Sequence, residues 1–307
     1  MSGRARASRA GPGRREGSGP GGLALVDKPA GMTSHDVVDR CRRILSTRRV
    51  GHAGTLDPSA TGVLVLAVGR ATRLLRFVSG LPKAYRGEAV LGVATTTFDA
   101  DGEVTGRWDL SGVSPEDVRR AAATLEGDLL QVPPAISAVK VKGQPLYRLA
   151  RAGVEVERTA RPVHVDTFDV EPGDEPGVFL VHVVCSSGTY VRSLVADLGS
   201  HLGGGAHLRG LRRLSVGPYR IEECLPLERL SASDLLAPVE ALRGWERVRV
   251  GADLARAVSH GAVLEASALG AGGPGPWAVV DDDGRLLAAY EAAGERARPT
   301  VVLAADE

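Results

Sequence analysis

Gly51-His52-Ala53-Gly54-Thr55-Leu56-Asp57-Pro58 runs through Ala60-Thr61-Gly62 into the apolar segment Val63 to Val68, and this passage from loop to strand sets the reading of everything around it. A short, continuous apolar run bounded by turn residues reads as a buried strand. The glycines ahead of it let the backbone turn tightly or approach a ligand, and Pro58 fixes the exit. The loop lacks the Gly-Lys-Ser/Thr ending of a Walker A sequence and is no GxGxxG fingerprint, so a phosphate cradle is disfavoured. Asp57 sits at the mouth of the strand, a position where Asp before Pro is most often a turn residue.

Upstream, Leu23 to Val26 reads as a first strand, and Ser34 as the N-cap of a helix with Val37, Val38, Cys41, Ile44 and Leu45 on one face. Downstream, an amphipathic helix is predicted from Ala71 to Val78 and a strand from Ala84 to Val93. Ser114-Pro115-Glu116-Asp117 is a helix start, with Pro at the first helical position and acids in the first turn. Further strands are expected at Ile136 to Val141, Val163 to Val170 and Phe179 to Cys185, with helices at Pro145 to Ala152 and Tyr190 to Leu202. Without a regular βαβ rhythm, these elements predict an α+β fold, a mixed and largely antiparallel sheet flanked by helices. From about Trp245 the elements shorten. A helix near Asp253 to His260 precedes Ala278 to Val280 and Arg285 to Tyr290, which flank the hairpin signal Asp281-Asp282-Asp283-Gly284. Residues 245–307 are therefore expected to form a small β-rich C-terminal domain closed by Val301 to Leu303, and residues 23–244 the main domain.

The chain has 307 residues, 43% hydrophobic and 24% charged, the composition of an ordinary globular protein of about two domains. No window approaches the roughly 18 apolar residues of a membrane helix, so no membrane span is expected. No apolar h-region follows the Arg-rich start before Asp27 and Lys28, which argues against a secretory signal. Cys41, Cys185 and Cys224 are scattered, fitting a reducing cytoplasm, and His201 and His207 lack partners for a metal. The net charge of +1 is a sum of unlike parts. Residues 1–22 carry five Arg against Glu16 and no large apolar residue after Met1, which predicts a disordered basic tail. Residues 245–307 carry six Lys/Arg against ten Asp/Glu. Two Arg clusters, Arg40, Arg42, Arg43, Arg48 and Arg49, then Arg209, Arg212 and Arg213, could neutralise phosphates or simply face solvent.

Ser186-Ser187-Gly188-Thr189-Tyr190-Val191-Arg192 passes from a strand into a helix and puts Arg192 in the first turn, where the helix dipole does not favour a cation. A carboxylate partner would explain it. An Arg held against Asp57 would keep that Asp ionised and oriented, as a carboxylate nucleophile requires.

In these motifs the chain resembles the TruB-type tRNA pseudouridine synthases. The resemblance is carried by Val26-Asp27-Lys28-Pro29 with Gly31-Met32-Thr33-Ser34, by the Gly51 to Pro58 loop with Ala60-Thr61-Gly62, by Lys83-Ala84-Tyr85-Arg86, by Gln131-Val132-Pro133-Pro134 with Ser137-Ala138-Val139-Lys140, by Leu146-Tyr147 and by Gly188 to Arg192. It implies an isomerase of the pseudouridine synthase fold that converts uridine 55 of the tRNA T-loop, reached by base flipping, without metal, nucleotide or redox cofactor. By motif position Asp57 would be the nucleophile, attacking ribose or uracil ring. Tyr85 would stack on the flipped base and assist proton transfer, Arg192 would pair with Asp57, and His52 would fill the gap that the uridine leaves. Tyr190 would line the uracil pocket, Lys28 would orient the motif or a phosphate, and Arg48, Arg49, Arg212 and Arg213 would contact the RNA. Lys83, Arg86 and Glu88 make the Tyr85 face look wet. The implied partner is the tRNA T-arm, with no obligatory protein partner and a monomeric state. Ile136 departs from the family's Tyr-Ser-Ala segment, and residues 245–307 match its PUA-like domain only loosely. Two competing readings are a tRNA-folding chaperone without needed chemistry and a guide-RNA-dependent pseudouridine synthase subunit.

Overall fold

Thr61–Val68 is apolar at nearly every position because both of its faces are covered. Leu64, Leu66 and Val68 pack with Val26, Val37, Val38 and Cys41, while Val63, Val65 and Ala67 pack on the other side with Leu23, Leu25, Val78 and Val216. The computed structural model describes residues 21–134, 140–141, 144–145 and 159–303. Its main element is a mixed ten-stranded sheet. Across the sheet run Leu225–Pro226, Gly22–Lys28, Thr61–Val68, Ala206–Val216, Lys83–Leu91, Val178–Cys185, Arg161–Pro172 and Gly127–Gln131, with Val50–His52 and Tyr219–Arg220 attached at the side. Only the pairings of Gly22–Lys28 with Leu225–Pro226 and of Thr61–Val68 with Ala206–Val216 are parallel. The expected mixed, largely antiparallel α+β sheet is thus the observed one.

Several local expectations change. The helix Ser34–Ile44 is capped by Thr33, not Ser34: Thr33 Oγ1 accepts from Asp36 N at 3.1 Å and the Asp36 carboxylate accepts from Thr33 N at 2.8 Å. Ser34, one residue inside, is buried and bonds to the Asp57 loop instead. The segment predicted as one helix from Ala71 to Val78 is a 3-10 turn, Gly69–Leu74, followed by the short helix Leu75–Ser79. Pro115–Ala123 has the expected cap at Ser114. Lys140–Val141 pairs with Gln144–Pro145, so Pro145 does not start a helix. Ile136 and the remainder of the two elements predicted around it, like residues 1–20, lie outside the described residues.

Residues 246–302 form a second sheet, ordered Glu246–Arg249, Trp277–Val280, Leu286–Ala293, Arg296–Val302 and Leu264–Glu265. Its hairpin turns where the Asp-Gly signal stands: Asp281 N donates to Arg285 O at 3.0 Å, and Gly284 takes φ 79°. The two sheets share one apolar cluster, in which Ala278, Val280, Leu286 and Val301 meet Leu23, Val63, Val65 and Leu74. Among the described residues no helix is long and apolar enough to cross a membrane.

Candidate active site

The loop that ends at Asp57 is tied down almost wholly through its main chain. Ser34 Oγ accepts from Leu56 N at 2.9 Å and donates to Leu56 O at 3.3 Å. Gly31 N and Lys28 Nζ both donate to Pro58 O, at 2.8 and 3.2 Å. Arg213, 1% exposed, donates from Nη2 to Gly54 O at 3.2 Å, from Nη1 to Thr55 O at 3.3 Å and from Nε to Val63 O at 2.7 Å. Two glycines make room for this clamp. A Cβ on Gly62, at φ +104°, would stand 2.1 Å from Arg213 O, and Gly54 takes φ +118° beside Lys83 and Arg213.

Arg192 follows the strand Val178–Cys185, three places along the sheet from Thr61–Val68. Val178–Cys185 pairs with Lys83–Leu91 so that Cys185 lies opposite Lys83, and the chain leaves the sheet there through Ser186 to Thr189. The amide of Gln131 clips the next residue in place: its Oε1 accepts from Tyr190 N at 2.7 Å and its Nε2 donates to Tyr190 O at 3.1 Å. Arg192, in the first turn of the helix Val191–His201, then reaches Asp57 with Nε 3.0 Å from Oδ2. Its Nη1 meets Asp99 Oδ2 at 3.1 Å and Thr97 O at 3.0 Å. The cation anticipated to need a carboxylate has two.

Asp57, Tyr85, Tyr190 and Arg192 line a pocket of about 340 Å³ together with Lys83, Arg213, Leu211 and Thr189. Burial raises the Asp57 carboxyl above the ordinary carboxylate range; Arg192 pulls it back down and Asp99 pushes it up. Tyr85 is 7% exposed, so its face of the strand is not wet: Arg86 and Glu88 point to the opposite side, as strand alternation requires, and Lys83 is itself buried. Burial raises the Tyr85 hydroxyl, and the Arg213 guanidinium beside it partly offsets this. Lys28, fully buried, lies beneath the loop, where desolvation lowers its ammonium to about 8 and Asp57 partly offsets this.

Of the other anticipated contacts, only Arg213 lines this pocket. His52 stands outside the pocket lining, its ring edge-on to His35 at 5.3 Å, with burial lowering its pKa and Nδ1 buried without a hydrogen-bond partner. Arg48 and Arg49 are exposed. The second Arg cluster is not a free phosphate track. Arg209 pairs with Glu88 and Glu175, Arg212 with Asp27 at 2.7 Å, and Arg213 is the loop clamp just described. Only Arg213 is buried in the fold; the side chains of Arg209 and Arg212 remain 37% and 41% exposed beside their carboxylate partners. Asp99, Gln131 and Ser34 were not singled out as site residues in the sequence. The one available signal for Asp99 was the turn-like run Thr97-Phe98-Asp99-Ala100-Asp101-Gly102, where Phe98 takes φ 63°. Among the described residues no group of three or more His, Cys, Asp and Glu is arranged to hold a metal ion.

Comparison with known proteins gives a consistent result along the chain. Residues 42–191 match the N-terminal domain of the TruB family pseudouridylate synthases, residues 192–244 the C-terminal domain of tRNA pseudouridylate synthase B, and residues 245–304 the C-terminal domain of tRNA pseudouridine synthase II. The tRNA pseudouridine synthase B of Thermobifida fusca is 48% identical over 292 residues, 92% of this chain and 98% of the relative. That of Mycolicibacterium paratuberculosis is 46% identical over 290 residues, with the same coverage. A crystal structure of a Cbf5-Nop10-Gar1 complex superposes with a TM-score of 0.71 at 26% identity, covering 92% of this chain and 85% of that one. An H/ACA RNP bound to a substrate RNA containing 2'-deoxyuridine shares the fold, with a TM-score of 0.69 at 23% identity.

Proposed function

The chain belongs to the TruB family of pseudouridylate synthases, isomerases that act on uridine in tRNA, and from this premise we propose that it converts uridine 55 of the T-loop to pseudouridine with Asp57 as nucleophile. The observation that carries the reading is the 3.0 Å contact between Arg192 and Asp57 at the wall of a base-sized pocket. Isomerisation breaks the bond from N1 to C1', joins C5 to C1' and moves one proton from C5 to N1. Nothing is oxidised or reduced, so side chains suffice.

A stacked uridine hides its glycosidic bond, and extrusion from a loop costs less than from a duplex. The flipped base enters beside Tyr85, whose ring supplies a stacking face and whose hydroxyl reaches the proton to be moved. Arg192 keeps Asp57 ionised against the burial that opposes it. An ionised carboxylate is needed whether it attacks C1' of the ribose or C6 of the ring. His52 fills the place the uridine leaves, and Arg48 and Arg49 follow the phosphates of the T-arm. The enzyme acts as a monomer in the cytoplasm, without guide RNA or protein partner.

The test is pseudouridine mapping, by mass spectrometry, of a T-loop hairpin incubated with the pure protein. Pseudouridine at position 55 alone supports the reading. No product, or product only after adding guide RNA, overturns it. Improved tRNA folding with no isomerised base would favour the chaperone.

A further inference from the structure

The pocket that holds the Asp57–Arg192 pair is also lined by two cations that are nearly inaccessible to solvent: Lys83, 5% exposed, and Arg213, 1% exposed. Neither has a carboxylate partner among the described residues. Lys83 Nζ donates to Ser79 O at 3.0 Å and Leu81 O at 2.6 Å, and Arg213 spends its bonds on three main-chain carbonyls. With three N–H groups on an ammonium and five on a guanidinium, Lys83 retains one donor beyond these bonds and Arg213 two. A buried charge without a counter-charge is costly, so its retention in a pocket wall asks what anion it serves. The carboxylates of Asp57 and Asp99 are both paired with Arg192.

We propose that Lys83 and Arg213 form a cationic wall that stabilises the negative charge carried by the uracil ring while its glycosidic bond is being exchanged. The inference rests on the isomerase reading above and holds for either attack by Asp57. If Asp57 bonds to C1', the electron pair of the N1–C1' bond passes to the ring and spreads over O2 and O4. If Asp57 bonds to C6, the electrons of the C5–C6 double bond move toward C5 and O4. In both cases the ring oxygens gain charge that is discharged as C5 joins C1' and the C5 proton is passed to N1, with the bond to Asp57 broken again, at C1' by the incoming C5 or at C6 as the C5–C6 double bond is restored. Donors fixed in advance in a dry pocket stabilise such transient charge without having to reorganise. Lys83 is the separable member, since Arg213 also clamps the loop.

Burial first and Arg213 second lower the Lys83 ammonium to about 8, against the opposing effect of the Cys185 thiol, itself pushed to about 11 by burial. Asp57, Tyr85, Tyr190, Arg192 and Arg213 are the other titratable groups lining the pocket, and burial raises Asp57 and Tyr85. The charged form of Lys83 is therefore lost as pH rises through about 8.

The experiment measures single-turnover pseudouridine formation in the T-loop hairpin from pH 6 to 10, with hairpin affinity in parallel, for wild type, Lys83→Met and Lys83→Arg. Lys83→Met is expected to lose about a hundredfold in rate with affinity within about threefold. Lys83→Arg is expected to recover most of the rate and to lose the decline near pH 8, because a guanidinium stays charged. A Lys83→Met rate within threefold of wild type overturns the proposal. So does a decline near pH 8 that persists in Lys83→Arg, since it would belong to Lys28, unchanged in both variants. If Lys83→Met does not fold, the Lys83→Arg profile decides alone. A wild type that makes no pseudouridine defeats the isomerase reading itself, a result distinct from either.

Discussion

Asp57 shares its cation with Asp99, and that sharing separates the roles of the residues around it. Asp57→Asn removes the charge but leaves Arg192 bonded to Asp99 Oδ2 and Thr97 O, so no cation is stranded. Pseudouridine formation should fall below about a thousandth of wild type while hairpin affinity persists, a kinetic loss without a binding loss. The stability consequence has a definite sign. A carboxyl whose pKa is raised in the folded state holds its proton more tightly there than in the unfolded chain, so folding weakens as pH climbs from the unfolded value of about 3.9 through the folded one. At neutral pH the substitution should therefore leave the melting temperature unchanged or higher, and a drop of several degrees would contradict the shared-cation picture. For the same reason, wild-type turnover should fail on acidification above the range of an exposed Asp. Arg192→Lys should be slow by about a hundredfold or more, since one ammonium cannot replace a planar fork that meets two carboxylates at once.

At the scale of elements, what was legible in the sequence was whatever carried a side-chain period. Thr61–Val68 announced itself because both faces are buried, and Val178–Cys185 and Arg161–Pro172 because alternate residues are. Ala206–Val216 was missed, although it crosses the middle of the sheet. It alternates from Ala206 to Arg209, then a bulge at Gly210, φ 62°, shifts the register and exchanges the faces, leaving Arg212 and Arg213 on a pattern that reads only as charge. Gly127–Gln131 is an edge strand with Leu130 exposed, so it had no period to show. The site follows the same logic. Arg192 asked for a carboxylate because of its place in a helix, and Asp57 supplied one; Asp99, held in a turn 93 residues from Arg192 in sequence, carried no such signal. The strand entrance yields its own prediction. Gly62→Ala would put a methyl group 2.1 Å from Arg213 O at a φ that L side chains rarely adopt. A loss of about 2–4 kcal/mol is expected, read as a melting temperature lower by about 5 °C or more.

Across the whole molecule, the two sheets should melt together, because Ala278, Val280, Leu286 and Val301 share one apolar cluster with Leu23, Val63 and Val65. Removing residues 245–307 should leave an insoluble remainder, and thermal unfolding of the intact chain should show a single transition. A soluble, folded 1–244 fragment would show that the shared cluster contributes little. The surface poses a different question, namely which charges meet the RNA. Arg209, Arg212 and Arg213 are bonded within the fold, whereas Arg40, Arg48 and Arg49 are exposed and form no ion pair with any described residue. Arg42 and Arg43 lean back on Asp39. If the exposed three follow the T-arm backbone, replacing Arg48 and Arg49 by Gln should flatten the log-log salt dependence of tRNA binding by about 1.4–1.8, since each lost phosphate contact removes about 0.7–0.9 from the slope. The apparent Michaelis constant should rise while the saturated rate stays near wild type, because neither residue lines the pocket. Tyr85→Leu should do the reverse, slowing the saturated rate with modest change in affinity, as expected for a ring that acts on the flipped base rather than on the backbone. A salt titration with single-turnover rates for both variants separates the two effects. An unchanged slope in the Arg48/Arg49 variant would mean that these side chains face only solvent and that the backbone crosses another face of the sheet.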